Sequence, residues 1–424
     1  MLCESAAKSF VQGDGFVRSK DFSWRYSLPA TLLLLSPFDL LASLGMDMYL
    51  PVIPFMADAL GAGAGTIQLT LTAYLVLLGA GQLLFGPLSD RLGRRPVLLG
   101  GGIAYIVASI GLALASSPEI FLGFRVLQAC GASACLVATF ATVRDIYAGR
   151  EESNVIYGLL GSMLAMVPAI GPLLGTLIDA WLGWRAIFGL LGIAMFGAAT
   201  AAWRLWPETQ RQRTAHPRWS QLLLPLRCLN FWQYTLGYSA GMGSFFVFFS
   251  TAPWLMMGRY GLSQLSFSLL FATVAIAMMV TARVMGRLAP QWGVQNALRV
   301  GMVCLMAGGL LLAAGEALIP LSLLGFIAPM WLVGVGIATA VSVTPNGALR
   351  GFDHIAGTVT AVYFCLGGVL LGGIGTLIIT LLPSGTNWPI VTYSLTLPAV
   401  VLCLSWVNSE GRDISDDEHA AVDP

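Results

Sequence analysis

Residues 28–50 read LPATLLLLSPFDLLASLGMDMYL, an apolar run long enough to cross the ~30 Å hydrocarbon core of a bilayer as a helix. Two aspartates, Asp39 and Asp47, interrupt it. Each Asp near a helix centre costs roughly 2.5 to 3.5 kcal/mol, whereas each Leu or Phe stabilises the inserted helix by only about 0.3 to 0.6 kcal/mol. On one helix the two carboxyls are about 12 Å and about 80° apart, so they can line one cavity at two depths. We predict that they bind a proton or a substrate.

The composition of the whole chain agrees with a membrane protein. Of the 424 residues, 57% are hydrophobic and only 10% are charged, against roughly 25% charged residues in a soluble domain. We therefore expect an integral membrane protein that contacts the lipid bilayer and no nucleic acid.

Apolar runs of about 20 residues occur twelve times, which predicts an all-α membrane protein with about twelve transmembrane helices. The predicted spans lie near 28–50, 67–88, 97–116, 120–143, 154–178, 185–203, 231–256, 266–287, 297–315, 320–345, 355–382 and 388–407.

The longest polar break divides these spans into two sets of six. The predicted organisation is a cytoplasmic N-terminal tail (1–27), a first bundle (28–203), a cytoplasmic linker (204–230), a second bundle (231–407) and a cytoplasmic C-terminal tail (408–424).

The two sets also resemble each other as weak repeats. Residues 86–93, GPLSDRLG, close the second span and residues 286–293, GRLAPQWG, close the eighth with the same glycine spacing. Paired repeats predict a binding site at their interface and alternating access to it.

The distribution of Lys and Arg predicts the orientation. The basic residues concentrate in both tails and in the even-numbered connections, whereas the odd-numbered connections hold only Arg185 and Arg259. By the positive-inside rule, both termini are expected in the cytoplasm.

The connection between the second and third spans, GPLSDRLGRRP at 86–96, is a candidate conformational element. Its glycines favour close helix approach, its aspartate can accept hydrogen bonds from an arginine or from helix N-terminal amides, and its arginines anchor the cytoplasmic side. The residues of this motif are Gly86, Asp90, Arg91, Gly93, Arg94 and Arg95.

Arg125 lies inside the fourth predicted span, and Gln128 follows one turn later. A buried guanidinium needs a partner. From the predicted span ends, Arg125 lies roughly 8 to 9 Å and Asp47 roughly 5 Å below the outer edge, so an ionic or water-bridged contact between them is geometrically allowed. The alternative is that Arg125 extends to the outer interface toward Glu119.

The fifth span contains two prolines and two glycines in its middle, Pro168, Gly171, Pro172 and Gly175. This composition is typical of a kinked helix that packs closely against a neighbour.

Aromatic side chains concentrate in the seventh and eleventh spans, and we propose Tyr234, Tyr238, Phe245 and Tyr363 as a candidate drug pocket. Together such rings suit an apolar ligand. For any single ring, packing against a neighbour or lipid is the competing interpretation.

Motifs of other protein classes are missing from the sequence. There is no G-x-x-x-x-G-K-[ST] phosphate loop to bind ATP and no cluster of the three His and seven Cys with metal-ligand spacing. We therefore expect neither an enzyme nor a metal site, and no cofactor, with protons as the coupling ion.

The 86–96 connection resembles the signature loop of the major facilitator superfamily, in which it acts as a conformational latch. The stretch from Arg125, RVLQACGASA, resembles the family's fourth-span motif associated with proton coupling, and Gly171-Pro172-x-x-Gly175 resembles the antiporter motif of its drug-exporting branch. Importers on the same scaffold usually lack the antiporter motif.

From about residue 22 to about residue 408 the chain resembles the bacterial chloramphenicol and florfenicol exporters, on residues 36–51, 142–149 and 345–354. The resemblance implies two pseudo-symmetric six-helix bundles and proton-driven export of phenicol antibiotics across the bacterial inner membrane, giving resistance. We expect a monomer whose partners are a chloramphenicol-like drug and protons. A broad multidrug exporter of the same fold is the alternative.

Overall fold

In a computed structural model of the protein, residues 26–147, 151–209, 223–319, 321–352, 355–383 and 385–420 are described. They form twelve helical spans long and apolar enough to cross a membrane, so the prediction of a twelve-span all-α fold is confirmed. The spans, numbered in chain order, are Leu28–Leu60, Ala64–Leu92, Arg94–Leu114, Pro118–Tyr147, Glu151–Leu182, Trp184–Leu205, Leu229–Arg259, Gln264–Trp292, Val294–Leu318, Leu323–Leu349, Ala356–Leu381 and Trp388–Trp406. The last helix continues to Ala420.

Span 1 is broken rather than continuous. Its first helix, Leu28–Asp47, is followed by a 3-10 turn at Leu50–Val52 and a second helix at Ile53–Leu60. The sequence predicted one uninterrupted run to residue 50. Pro51 and Pro54 explain the difference, because neither has the N–H that an uninterrupted helix would require. The first helix therefore ends inside the span.

Spans 2 and 8 end in the same kind of turn. Gly93 (φ 108°) and Gly293 (φ 78°) both lie in the positive-φ region, which favours glycine. Each donates its N–H to the carbonyl four residues earlier, on Ser89 at 3.1 Å and on Ala289 at 3.0 Å. The repeated glycine spacing of the sequence thus corresponds to a repeated turn. We call the end of the bundle with these turns the basic end, and the opposite end the far end.

The two halves pack against each other toward the far end. Side-chain hydrogen bonds there join span 2 to span 11 and span 5 to span 8. They are Thr72 to Thr376 at 2.8 Å, Thr176 to Ser268 at 2.9 Å, and Gln264 to Asp179 at 2.9 Å.

Spans 5 and 8 separate toward the basic end. On span 8, Ser268 and Ala272 are buried near the far end, whereas Gly286 is exposed near the basic end. Gly158 and Gly161 of span 5 are also exposed, and a Cβ on any of these three glycines would meet no atom within 4 Å. Spans 5 and 8 therefore diverge toward the basic end.

Candidate functional site at the break of span 1

The broken helix of span 1 leaves backbone carbonyls near its C-terminus that side chains of other spans approach. Arg125 donates to the carbonyl of Gly45 at 2.8 Å, Tyr74 to that of Ala42 at 2.6 Å, and Tyr105 to that of Leu41 at 2.8 Å. Of these three carbonyls, only that of Gly45 lies in the last turn of the helix Leu28–Asp47, where carbonyls lack intrahelical donors and a cation interacts favourably with the helix dipole. Spans 2, 3 and 4 therefore each bond the C-terminal part of this helix.

Arg125 is fully buried (0% exposed) at the centre of this arrangement. Its guanidinium carbon lies 4.4 Å from the ring centroids of both Tyr49 and Tyr74, and 5.9 Å from that of Phe188. Rings at these distances stabilise a cation through their quadrupoles. Nε and Nη2 of Arg125 have no hydrogen-bond partner among the described residues.

Gln128 extends the hydrogen-bond network into span 3. Its Oε1 accepts from Nη1 of Arg125 at 2.7 Å, and its Nε2 donates to the hydroxyl of Ser109 at 2.9 Å. Gln128 and Ser109 are both fully buried. The structure therefore brings Arg125 and Gln128 together and holds the guanidinium in one orientation.

Asp47 lies two residues after the carbonyl that Arg125 contacts and is only 5% exposed. The residues that the structure describes contain no ion pair within 4 Å between Asp47 and Arg125. Of the ionic or water-bridged contact that the sequence allows, the ionic form is therefore not seen among the described residues, and the water-bridged form stays a prediction. Arg125 also does not extend to Glu119. The guanidinium turns instead to the Gly45 carbonyl and to Gln128.

Asp39 lies two turns earlier on the same helix and is 2% exposed. Its Oδ1 has no hydrogen-bond partner in the described part of the chain. The neighbouring Phe38 packs edge-on against Trp206, with ring centroids 5.9 Å apart. An unpartnered buried carboxyl has no evident role in stability.

The span 5 motif packs directly against this site. A Cβ placed on Gly171 would lie 2.6 Å from the Cβ of Asp47, and one on Gly175 would overlap the carbonyl oxygen of Met48. On another side of the helix, the carbonyl of Pro172 accepts from the hydroxyl of Ser268 in span 8 at 3.2 Å. Pro168 lies one turn before, half-buried. Span 5 therefore links the break of span 1 to the second half of the molecule.

A second charged cluster lies at the basic end. Arg94 is buried, and it donates from Nη1 to Asp90 at 2.6 Å and to Ser89 at 3.0 Å, and from Nε to Asp145 of span 4 at 2.8 Å. Arg144 adds longer ion pairs to Asp90 at 3.9 Å and to Asp145 at 3.7 Å. The cluster joins the ends of spans 2, 3 and 4.

Glu208, just after span 6, caps the N-terminus of span 3. Its carboxylate accepts from the N–H groups of Arg94 at 2.9 Å and Arg95 at 3.2 Å, where the helix dipole favours an anion. The guanidinium of Arg95 reaches the carbonyl of Trp203, and Gly93 leaves room for the carboxylate. Arg91 is exposed nearby.

Gly86 does not mediate a close helix approach in this structure, because a Cβ at this position would meet no atom within 4 Å. The close approach predicted for it is therefore not observed. The geometry of the turn rests on Gly93 instead, whose positive φ lets span 3 start immediately after span 2.

The structure brings only part of the predicted aromatic pocket together. Tyr238 and Tyr363 have ring centroids 5.1 Å apart, and both contact Phe364, at 5.7 and 5.1 Å. Tyr234 packs instead against Gly347 of span 10, and Phe245 pairs with Phe249 at 5.7 Å.

The sequence interpretation missed several residues of these sites. Tyr49 and Tyr74 lie against Arg125, and Tyr105 bonds the same helix of span 1. A buried cation gives a reason to look for such rings. Asp145 and Glu208 bind the motif arginine and its helix end. These two acids could have been found from their position in the sequence, because they lie at the ends of spans 4 and 6, on the same side of the bundle as the motif.

The fold and its sites define a class of protein: a membrane transporter with two packed six-helix halves, a buried charged site in the first half and an antiporter-type motif beside it. The model of the Major Facilitator Superfamily matches residues 38–376, so the chain belongs to this superfamily.

Three relatives of the chain are named as drug-resistance proteins. The chain is 74% identical over 404 residues to the "Chloramphenicol resistance protein" of Pseudomonas aeruginosa, covering 95% of this chain and 96% of that protein. It is 27% identical over 382 residues to "Multidrug resistance protein D" of Escherichia coli strain K12, covering 89% and 94%. It is 28% identical over 310 residues to "Multidrug resistance protein MdtL" of Klebsiella pneumoniae strain 342, covering 71% and 77%.

Proposed function

We propose that this protein exports chloramphenicol-like phenicol drugs from the cytoplasm across the bacterial inner membrane in exchange for protons, and so confers resistance. The observation that carries the proposal is the buried Asp47 at the break of span 1, next to the carbonyl that holds Arg125 and against Gly171 of span 5. The similarity of the whole chain to a chloramphenicol resistance protein supports the choice of drug.

In this proposal Asp47 carries the proton. A charged carboxylate in the middle of a span is costly, which favours its protonated form. Nε and Nη2 of the buried Arg125 have no hydrogen-bond partner among the described residues. Drug arrival and proton uptake can then compete for the same small region. Asp39, buried two turns away and with no hydrogen-bond partner for its Oδ1 among the described residues, is a second carboxyl on the same route.

We further propose that the basic end faces the cytoplasm, with both termini on that side, because arginines concentrate there. Spans 5 and 8 then open toward the cytoplasm and close at the far end through the Thr176–Ser268 and Gln264–Asp179 hydrogen bonds. Transport would exchange this arrangement for one closed at the basic end. The proposal invokes no cofactor and no chemical conversion of the drug, and it treats the monomer as the working unit.

The test is uptake of radiolabelled chloramphenicol into inverted membrane vesicles, with and without an imposed pH gradient. We expect accumulation that depends on the gradient, since about 100 mV of proton driving force supplies about 2.3 kcal/mol. Uptake that persists unchanged after an uncoupler is added would contradict antiport.

A broad multidrug exporter is the second candidate. It is favoured by the two relatives named as multidrug resistance proteins. The same vesicles with a panel of chemically unrelated dyes and antibiotics distinguish the two, because a phenicol exporter should accumulate only the phenicols.

A further inference from the structure

Span 8 exposes one apolar face along most of its length. Leu265, Leu269, Ile276, Val280 and Val284 are 44 to 56% exposed. The face stays exposed even at the far end, where a different face of the same helix, with Ser268, packs against span 5. It therefore points toward lipid and not into the space between the halves.

Two arginines lie at the basic end of this face. Arg283 and Arg287 are both exposed and one helical turn apart. Together with Val280, Val284 and Leu288 they line a shallow groove. Neither arginine has a hydrogen bond or an ion pair with any residue that the structure describes.

The depth of these arginines makes that lack of a partner costly. Span 8 has 29 residues and is therefore about 43 Å long, against a hydrocarbon core of about 30 Å. If the helix is centred, Arg287 lies near the edge of the core and Arg283 about one turn inside it. A guanidinium there must extend toward the headgroups or bind an anion.

The repeated turn differs between the two halves in the acids that surround it among the described residues. In the first half, Asp90 and Asp145 bind Arg94. In the second half the positions of Asp90 and Arg94 are taken by Pro290 and Val294. No described carboxylate replaces these acids next to span 8.

We propose that Arg283 and Arg287 bind the phosphate of one anionic phospholipid. Side chains at i and i+4 have Cβ atoms about 5 to 6 Å apart, so both guanidiniums can donate to one phosphate, which arginine binds through paired N–H groups. The acyl chains of this lipid lie along Ile276, Val280 and Val284. The site is independent of the drug pathway.

The test uses the full-length protein purified in detergent, titrated with phosphatidylglycerol or with phosphatidylcholine of the same acyl chains. Bound lipid is counted by native mass spectrometry, and the melting temperature is followed in parallel. We expect one phosphatidylglycerol bound in preference to phosphatidylcholine, and at least about a tenfold loss of that affinity in R283Q/R287Q. Arg204→Gln, which removes a single exposed arginine near the basic end of span 6, should bind like the unsubstituted protein.

Two further arms keep the test decisive. Arg287→Lys keeps the charge but loses paired donation, so it should bind with intermediate affinity even if the double variant folds poorly. Inorganic phosphate should not raise the melting temperature. Equal phosphatidylglycerol binding by R283Q/R287Q, or equal stabilisation by free phosphate, would overturn the proposal.

Discussion

The turns after span 2 and span 8 have the same backbone and different side chains. Both reverse the chain at a glycine with positive φ, Gly93 and Gly293, that donates to the carbonyl four residues earlier. The first turn carries a network of acids around Arg94, whereas the second has Pro290 and Val294 at the equivalent positions. Glycine spacing thus determines the shape of the turn, and the side chains determine what the turn can bind.

The same contrast separates the two halves as a whole. The first half buries Asp39, Asp47 and Arg125 in its spans, whereas the corresponding region of the second half is dominated by rings such as Tyr238 and Tyr363. We infer that the first half handles protons and the conformational change, and that the second half mainly contributes apolar contacts to the drug.

The largest effect is expected from Arg125→Leu in the first half. It removes the donor to the Gly45 carbonyl and to Gln128, and with it the cation next to Asp47. The transport rate should fall at least about 100-fold, equivalent to about 2.7 kcal/mol. The measurement is gradient-driven chloramphenicol uptake at matched protein levels in the membrane.

Arg125→Lys serves as its control. A lysine keeps the charge but cannot reproduce the planar guanidinium between two rings, so we expect little recovery. Normal transport by the leucine variant would show that the buried cation of the first half is not needed.

The next effect is expected from Gly171→Ala in span 5. The added methyl group would lie 2.6 Å from the Cβ of Asp47, so span 1 or span 5 must shift. We expect about a tenfold or greater loss of transport, since overpacking costs roughly 1 to 3 kcal/mol. Gly161→Ala in the same span is the matched control, because its Cβ would meet no atom within 4 Å. Equal activity of the two variants would disprove a steric role of Gly171.

An intermediate effect is expected from Asp90→Asn. It weakens the ion pair to Arg94 but leaves Asp145 and Glu208 in place. The transport rate should fall roughly tenfold, because a hydrogen bond to a charged group contributes about 1.5 to 3 kcal/mol. Pro290→Ala at the equivalent position of span 8 should have a smaller effect. If the two substitutions reduce transport equally, the difference between the two turns has no functional meaning.

The smallest effect is expected from Tyr238→Ala in the second half. Removing one ring from the cluster with Tyr363 and Phe364 should raise the drug concentration for half-maximal transport by about three- to tenfold, since an aromatic contact contributes about 0.5 to 1.5 kcal/mol beyond buried area. The maximal rate should change little. Phe245→Ala, outside this cluster, is the comparison. If it raises the drug concentration for half-maximal transport more than Tyr238→Ala does, the drug binds closer to span 8 than to the Tyr238 cluster.

The fold was readable from the sequence because each span must be long and apolar. The break of span 1 was only partly predictable from the sequence. Pro51 and Pro54 indicate that a helix is interrupted, but they do not indicate that Arg125 donates to the carbonyl of Gly45. That contact depends on how spans 1 and 4 pack, which is a property of the folded protein.

Long-range partners were the least predictable. Glu208 lies more than 100 residues from Arg94, whose N–H it accepts, and no local pattern connects them. Among the aromatic residues, hydrophobicity selected Tyr234, Tyr238, Phe245 and Tyr363 alike, whereas the rotation of spans 7 and 11 brings only Tyr238 and Tyr363 into contact.

The central claim is that drug and proton compete at Asp47. It is tested most directly by adding chloramphenicol to the purified protein in a weakly buffered solution and measuring the protons released on binding. We predict that the unsubstituted protein and Asp90→Asn release protons, and that Asp47→Asn binds the drug without releasing them. Undiminished proton release by Asp47→Asn would contradict the claim.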